Sequence, residues 1–321
     1  MEMRAGRGEV WRRLMRGAMV LVMLGTCGAW GREGPEILGT VGMVTDLARE
    51  VTGEAGAGRG LIGEGVDPHL YKPTRKDLVR LRQADIILYN GLKLEGRLAD
   101  ILEEMGRNGR SVRALSEAVL AGGRYRGKGG EEGTDPHLWM DVGAWRLALK
   151  EVVTFLGEAD RERADRYREN GRAYTEELDR LDGYAREVLG SIPEEHRILV
   201  TAHDAFGYFG RAYGLEVRGI QGLSTESEAG LRDLEELLSE IVERGIPAIF
   251  VESSVSDKNV RALVEGARSK GHDLEIGGTL YSDAMGPAGT YRGTYFGMLD
   301  HNITTIARAL GGRAPEGGID G

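Results

Sequence analysis

The chain has 321 residues, 41% of them hydrophobic and 29% charged, with a formal net charge of -9. That length suits two domains or one large one, and the composition is that of a soluble globular protein. The acidic balance argues against a nucleic-acid partner, because phosphate binding needs clustered Lys and Arg. The single cysteine, Cys27, excludes an intramolecular disulfide and a thiolate metal cluster.

The N-terminus reads as an address. Arg4, Arg7, Arg12, Arg13 and Arg16 precede a short apolar run from Ala18 to Leu24, followed by Gly25, Thr26 and Cys27. A basic region, a short apolar core and small residues make a secretory signal. The run is far shorter than the roughly 20 apolar residues that span a bilayer, and no later segment reaches that length. Leu24-Gly25-Thr26-Cys27 resembles a bacterial lipobox, with Thr26 where Gly, Ala or Ser is usual. Residues 1–27 are therefore expected to be a signal peptide, with Cys27 the candidate for lipidation; a plainly cleaved signal is the alternative.

Downstream, residues 37–42 read as a strand and 46–51 as a helix. Residues 74–83 carry Leu78 and Leu81 at helical spacing behind Thr74, a plausible N-cap. The run 85–90 is apolar without alternation, as in a parallel sheet, and 98–105 is helical. Residues 121–133 are rich in Gly, Arg, Lys and Glu and read as a polar loop. Helical spacing then runs from 142 to 156 and continues from 160 to 189 with dense charge. The second half alternates again: strands at 197–201, 248–251 and 274–277, helices at 205–213, 231–244, 259–270 and 295–310. Such alternation means α/β with mainly parallel sheets.

There are six histidines. His69, His137 and His203 lie just past an expected strand or in a loop beside one, and Asp283 follows the last strand. Ligand sites in open α/β sheets lie beyond the carboxyl ends of the strands. His69 and His137 share Asp-Pro-His-Leu plus an aromatic, Tyr71 or Trp139. Neutral imidazole suits Zn, Mn and Fe, and a carboxylate adds hard oxygen. Four protein ligands fill a tetrahedral ion, whereas a catalytic zinc keeps one position for water. No His-x-x-x-His or Cys-x-x-Cys pair supports the site locally, and a solvated loop histidine is the alternative for each position. His196 and His272 sit in polar contexts, and His301 reads as structural.

Several longer stretches carry a resemblance. They include Gly65-Val66-Asp67-Pro68-His69-Leu70-Tyr71-Lys72-Pro73-Thr74, Tyr89-Asn90-Gly91-Leu92 and Asp135-Pro136-His137-Leu138-Trp139-Met140-Asp141. Thr201-Ala202-His203-Asp204-Ala205-Phe206, Gln221-Gly222-Leu223-Ser224-Thr225-Glu226, Val251-Glu252-Ser253-Ser254 and Leu280-Tyr281-Ser282-Asp283-Ala284 continue it. Together they resemble the metal-specific, manganese/zinc-type solute-binding proteins of ATP-binding-cassette importers. The resemblance implies two α/β lobes, 35–158 and 191–312, joined by a rigid linker helix, 159–190, with a flexible tail at 313–321. It implies one ion in the cleft, held by His69 and His137 from the first lobe and by His203 and Asp283 from the second.

It also implies partners: a membrane permease with its cytoplasmic ATPase, no nucleic acid, and membrane contact only through the N-terminal anchor. The protein would be an exported monomer, periplasmic or on the cell surface. The sequence departs from the family at three places. Lys93 stands where histidine is frequent, the 121–133 loop has no histidine, and His203 stands where manganese-specialised members have glutamate. The expected cargo is therefore Zn2+ or Mn2+, with Fe2+ a weaker fit. Glu252 is the candidate to back a ligating histidine, and Glu226 and Glu228 lie in a loop that could face the cleft. Asp67 and Asp135 read as turn caps, and Tyr71 and Trp139 as site walls or core. A zinc-dependent hydrolase and a metal-stabilised surface adhesin are the competing classes.

Overall fold

Residues 37–114 alternate short buried strands with helices: β1 (Ile37–Gly39), α1 (Gly42–Thr52), β2 (Arg59–Gly60), α2 (Arg75–Gln83), β3 (Ile86–Tyr89), α3 (Arg97–Arg107) and β4 (Ser111–Ala114). The computed structural model describes residues 34–53, 58–123, 125–127, 129–130 and 133–321. The expected signal segment, Cys27 and four residues of the 121–133 loop lie outside the described residues. The four strands form one parallel sheet in the order β2-β1-β3-β4. Every residue of β1 and β3 is buried, which is why these strands are apolar throughout rather than alternating.

After α4 (Leu115–Ala121), the loop contains a small antiparallel pairing of β5 (Gly129–Gly130) with β6 (Gly133–Thr134). A tight helical turn at Leu138–Met140 leads into α5 (Val142–Ala159) and α6 (Ala164–Gly190). The near-continuous helical pattern from 142 to 189 is thus broken. Asp160 caps α5, and its Oδ2 accepts from Arg163 Nη1 at 3.0 Å and Tyr167 OH at 2.8 Å. Those bonds fix the reversal, so α5 and α6 pack side by side. Helix α6 also packs against α1.

The later half contains β7 (Ile198–His203), α7 (Gly207–Tyr213), β8 (Glu216–Gln221), α8 (Leu231–Glu243), β9 (Ala248–Glu252), α9 (Lys258–Ser269), β10 (Glu275–Leu280) and α10 (Tyr295–Ala309). β7 pairs in parallel with β8, and β9 with β10; β7 runs beside β9. Helix α6 contacts α7 and α10 as well as α1 and α5, so one charged helix touches both halves. Trp139, Trp145, Tyr295 and Phe206 are fully buried in the core that these helices share. Among the described residues, no helix is long and apolar enough to cross a membrane.

Besides the two-residue strands β5 and β6 of the loop, three strands escaped the sequence pattern. β2 has two residues, β4 begins with serine and contains arginine, and β8 carries Glu216 and Arg218. Among the described residues, each has a hydrogen-bonded neighbour on one side only, and such edges need not be apolar. By contrast α2 starts where expected. The Thr74 hydroxyl accepts from Asp77 N, and Asp77 Oδ2 accepts from Thr74 N at 2.8 Å, a complete capping box. Replacing such a cap by alanine costs about 1 kcal/mol. Thr74→Ala is expected to lower the unfolding free energy by about 1 kcal/mol, seen as a lower urea midpoint with no change in slope; an unchanged midpoint would remove the cap from the account.

Candidate metal centre

Four chain segments converge on one point. His203 is the last residue of β7, and Asp283 lies just beyond β10, both at carboxyl ends of strands. His69 sits in the loop between β2 and α2. His137 immediately precedes the turn Leu138–Met140. One donor atom from each of the four lies within 4.8 Å of the others, and all four residues are buried.

The repeated Asp-Pro-His motif folds the same way twice. Asp67 Oδ1 accepts from His69 N at 2.8 Å, and Asp135 Oδ1 accepts from His137 N at 2.9 Å. These are Asx turns, in which a carboxylate takes the backbone N–H two residues on. Proline between the two fixes the backbone dihedral that makes the reach short. Asp135 has a second role: its Oδ1 also lies 2.8 Å from His137 Nδ1.

His203 is backed in the same manner from the other half. Glu252, at the end of β9, accepts from His203 N through Oε1 at 2.9 Å, and its Oε2 is 2.6 Å from His203 Nδ1. A carboxylate beside Nδ1 favours a proton there, which leaves Nε2 as the atom that an ion would bind. The Nε2 atoms of His137 and His203 face inward toward Asp283, where an ion could take their lone pairs in place of a proton. Burial alone would push the His203 imidazole pKa down, but the charges of Glu252 and Asp283 overcome it and hold it well above the ordinary value. Burial would raise Asp283, yet His203 and His137 hold it well below the usual carboxylate range.

The inward atoms do not satisfy one another. Asp283 oxygens lie 3.3 Å from His69 Nε2, 3.4 Å from His137 Nε2 and 3.2 Å from His203 Nε2. None of these three nitrogens, nor either Asp283 oxygen, has a hydrogen-bond partner among the described residues. Leaving so many buried polar atoms unpaired is costly. The spacing suits a shared ion instead: bonds of about 2.0–2.2 Å put neighbouring tetrahedral donors about 3.3–3.6 Å apart. Three imidazoles and one carboxylate fit a divalent transition metal by chemistry as well as by spacing.

A segment the sequence reading left without a role supports both early histidines. Asn90 Nδ2 donates to the Pro136 carbonyl at 2.9 Å, directly before His137. Fully buried Glu95 accepts from Thr40 Oγ1, Asn90 N and Gly91 N. These bonds hold the backbone of Leu92 and Lys93 at positive φ, 54° and 63°. Gly96, at φ +50°, lies against the His69 carbonyl, where a Cβ would clash. The visible signal was a polar cluster, Asn90 to Glu95, directly after a buried strand.

Other sequence candidates fall elsewhere. Trp139 is fully buried, its ring 5.3 Å from that of His137. Tyr71 instead donates to Asp77 Oδ2 at 2.8 Å and packs on the core. Glu226 is exposed and lines a cavity of about 640 Å³ beside His69, and Glu228 is exposed. Neither joins the four-residue group. His196, His272 and His301 each place a ring nitrogen on a backbone carbonyl, of Leu310, Ile246 and Thr279.

Residues 37–309 match the family described as zinc-uptake complex component A, periplasmic. The chain is 46% identical over 275 residues to the manganese-binding lipoprotein MntA of Bacillus subtilis, covering 86% of this chain and 89% of the relative. It is 46% identical over 276 residues to the zinc-binding protein TroA of Treponema pallidum, with the same shares. The solved structure of periplasmic zinc-binding TroA from that organism superposes with a TM-score of 0.82 at 45% identity, covering 86% of this chain and 99% of that one. Fe(III)-bound YtgA from Chlamydia trachomatis superposes at 0.81 with 27% identity, covering 88% and 100%.

The support beneath the histidines is testable without touching them. Gly96→Ala is expected to displace the His69 loop and weaken zinc binding by about tenfold or more, at the scale of 1–3 kcal/mol for forced repacking. Calorimetric titration reads this directly. Unchanged affinity would mean that Gly96 does not set the position of His69.

Proposed function

Because the chain belongs to the zinc-uptake component A family, we propose that it is the extracytoplasmic solute-binding component of an ATP-binding-cassette importer, capturing one Zn2+ or Mn2+ ion and delivering it to the membrane permease. The observation that carries this reading is the buried group of His69, His137, His203 and Asp283 with their inward atoms unpaired. On this reading these four residues are the ligands, and Glu252 and Asp135 orient His203 and His137. A filled shell leaves no position for a catalytic water, which supports carriage rather than hydrolysis. The permease works with a cytoplasmic ATPase.

Nitrogen-rich shells favour zinc and oxygen-rich shells favour manganese. Three imidazoles lean toward zinc, while the sequence relatives at equal identity are named for manganese and for zinc. Both ions therefore belong to the proposal, with Fe2+ a weaker fit. Residues 35–158 and 191–312 act as two lobes on this reading, with 159–190 as the linker. That α6 packs against helices of both halves supports a stiff connection, so release needs only a small lobe shift or local loop motion. An acylated Cys27 would hold a monomer at the membrane surface; the lipoprotein names of several relatives support it.

Two outcomes follow. A four-ligand zinc site is worth about 10–16 kcal/mol, so losing one ligand removes roughly two orders of magnitude in affinity or more. His203→Ala is expected to lose that much in a chelator competition, and retained tight binding would show that the ligand set is wrong. Protons compete for the same nitrogens. His203 holds its proton to higher pH than an ordinary imidazole in the ion-free protein, so the ion must displace it, and affinity rises with pH through that range. Zinc affinity is expected to fall by at least about tenfold between pH 7.5 and 5.5; a flat profile would contradict histidine ligation.

A further inference from the structure

The four segments of the site are not held equally. The segment carrying His137 is tied to the later half by buried bonds. Trp139 Nε1 donates to the Ser282 carbonyl at 3.0 Å, beside Asp283. Tyr295 OH donates to the Trp139 carbonyl at 2.7 Å, and Tyr208 OH to the Asp135 carbonyl at 3.1 Å. His137 and His203 have no exposed surface, and Asp283 has 2%.

His69 is different. It is 4% exposed, and its loop carries Val66 at 38% and Leu70 at 53%. It borders the 640 Å³ cavity that Leu223, Ser224 and Glu226 line from the later half. Two carboxylates tie this loop across. Glu64 Oε1 accepts from Ala288 N at 2.6 Å near the surface. Asp67 does more, because its two oxygens serve two masters: Oδ1 takes the His69 N–H at 2.8 Å, and Oδ2 takes the hydroxyl of Thr225. Thr225 is 8% exposed, although Glu226 beside it is exposed. One carboxylate thus couples the backbone of a candidate ligand to a loop on the opposite half.

We propose that the Thr225–Asp67 bond is a latch that holds the His69 loop shut over the ion, and that the ion leaves on the His69 side when the latch opens. The inference rests on the reading that these four residues hold the ion. Thr225 is a positioning residue here: it does not touch the metal, and it acts through Asp67 on His69. The remaining three donors stay in their cross-tied frame while the loop moves. The Asx turn of Asp67 keeps His69 oriented within its loop, so breaking the latch frees the loop as a unit rather than misfolding it. Glu64 and Ala288 form a second, exposed tie on the same loop, and its loss adds a smaller effect.

The test is the rate of zinc release from the full-length zinc-loaded protein mixed with excess EDTA, followed by tryptophan fluorescence. Trp139, against His137, is a natural reporter. Thr225→Val is expected to release zinc about tenfold faster or more, the scale of losing one hydrogen bond to a carboxylate, whereas Thr225→Ser stays within about twofold of wild type. Serine keeps the hydroxyl, so release as fast as in the valine variant would assign the effect to packing and overturn the latch. Wild-type rates in Thr225→Val, with wild-type protein binding zinc tightly, would overturn the latch alone. Wild-type protein that binds no zinc would overturn the metal reading and the latch with it. Should the valine variant not fold, as judged by circular dichroism, Thr225→Ala replaces it, with the same roughly tenfold faster release expected; an unchanged rate there overturns the proposal.

Discussion

The site depends on one constraint: a buried carboxylate faces three imidazole nitrogens, and none of these atoms has a hydrogen-bond partner among the described residues. Asp283 is held ionised against its own burial by His203 and His137. Glu252 and Asp135 sit behind two of the histidines, against their outer nitrogens, and turn Nε2 inward. Such an arrangement is expensive for a protein that only needs to fold. A divalent cation at the centre offsets the expense, since it supplies charge to the carboxylate and an acceptor for every lone pair. Folding pays for a site whose completion is left to the ligand.

The rest of the architecture serves to bring these atoms together from distant stretches of chain. Parallel strands deliver His203 and Asp283 at their carboxyl ends, where the backbone leaves the sheet and side chains can converge. The two early histidines lack that advantage, because neither ends a strand. They are placed instead by local devices: paired Asx turns, the buried Glu95 that organises the 90–96 segment, and the close approach of Gly96 to His69. Helix α6 packs against helices from both halves.

Much of this was legible in the sequence. The parallel α/β class followed from unbroken apolar strands such as 86–89, and the capping box announced α2. All four metal candidates could be named: His69 and His137 follow Asp-Pro, and His203 and Asp283 follow expected strands. Their convergence was not legible from spacing, since consecutive candidates are 66 to 80 residues apart, far beyond any chelating repeat; the family resemblance supplied it. The edge strands β2, β4 and β8 were missed because an edge tolerates charge. The break between α5 and α6 was missed because Asp160 and Arg163 fit a charged helix as well as a cap. Asp135 read only as a turn cap, and its contact with His137 Nδ1 needed the folded backbone. Asn90 and Glu95 were visible as polar residues after a strand, but what they hold lies 46 and 55 residues away.

X-ray absorption at the metal edge of zinc-loaded protein tests the central claim most directly. The account predicts a first shell of nitrogen and oxygen only, at about 2.0–2.2 Å, with the outer-shell scattering of three imidazoles. A sulfur shell, or fewer than three imidazoles, would contradict it.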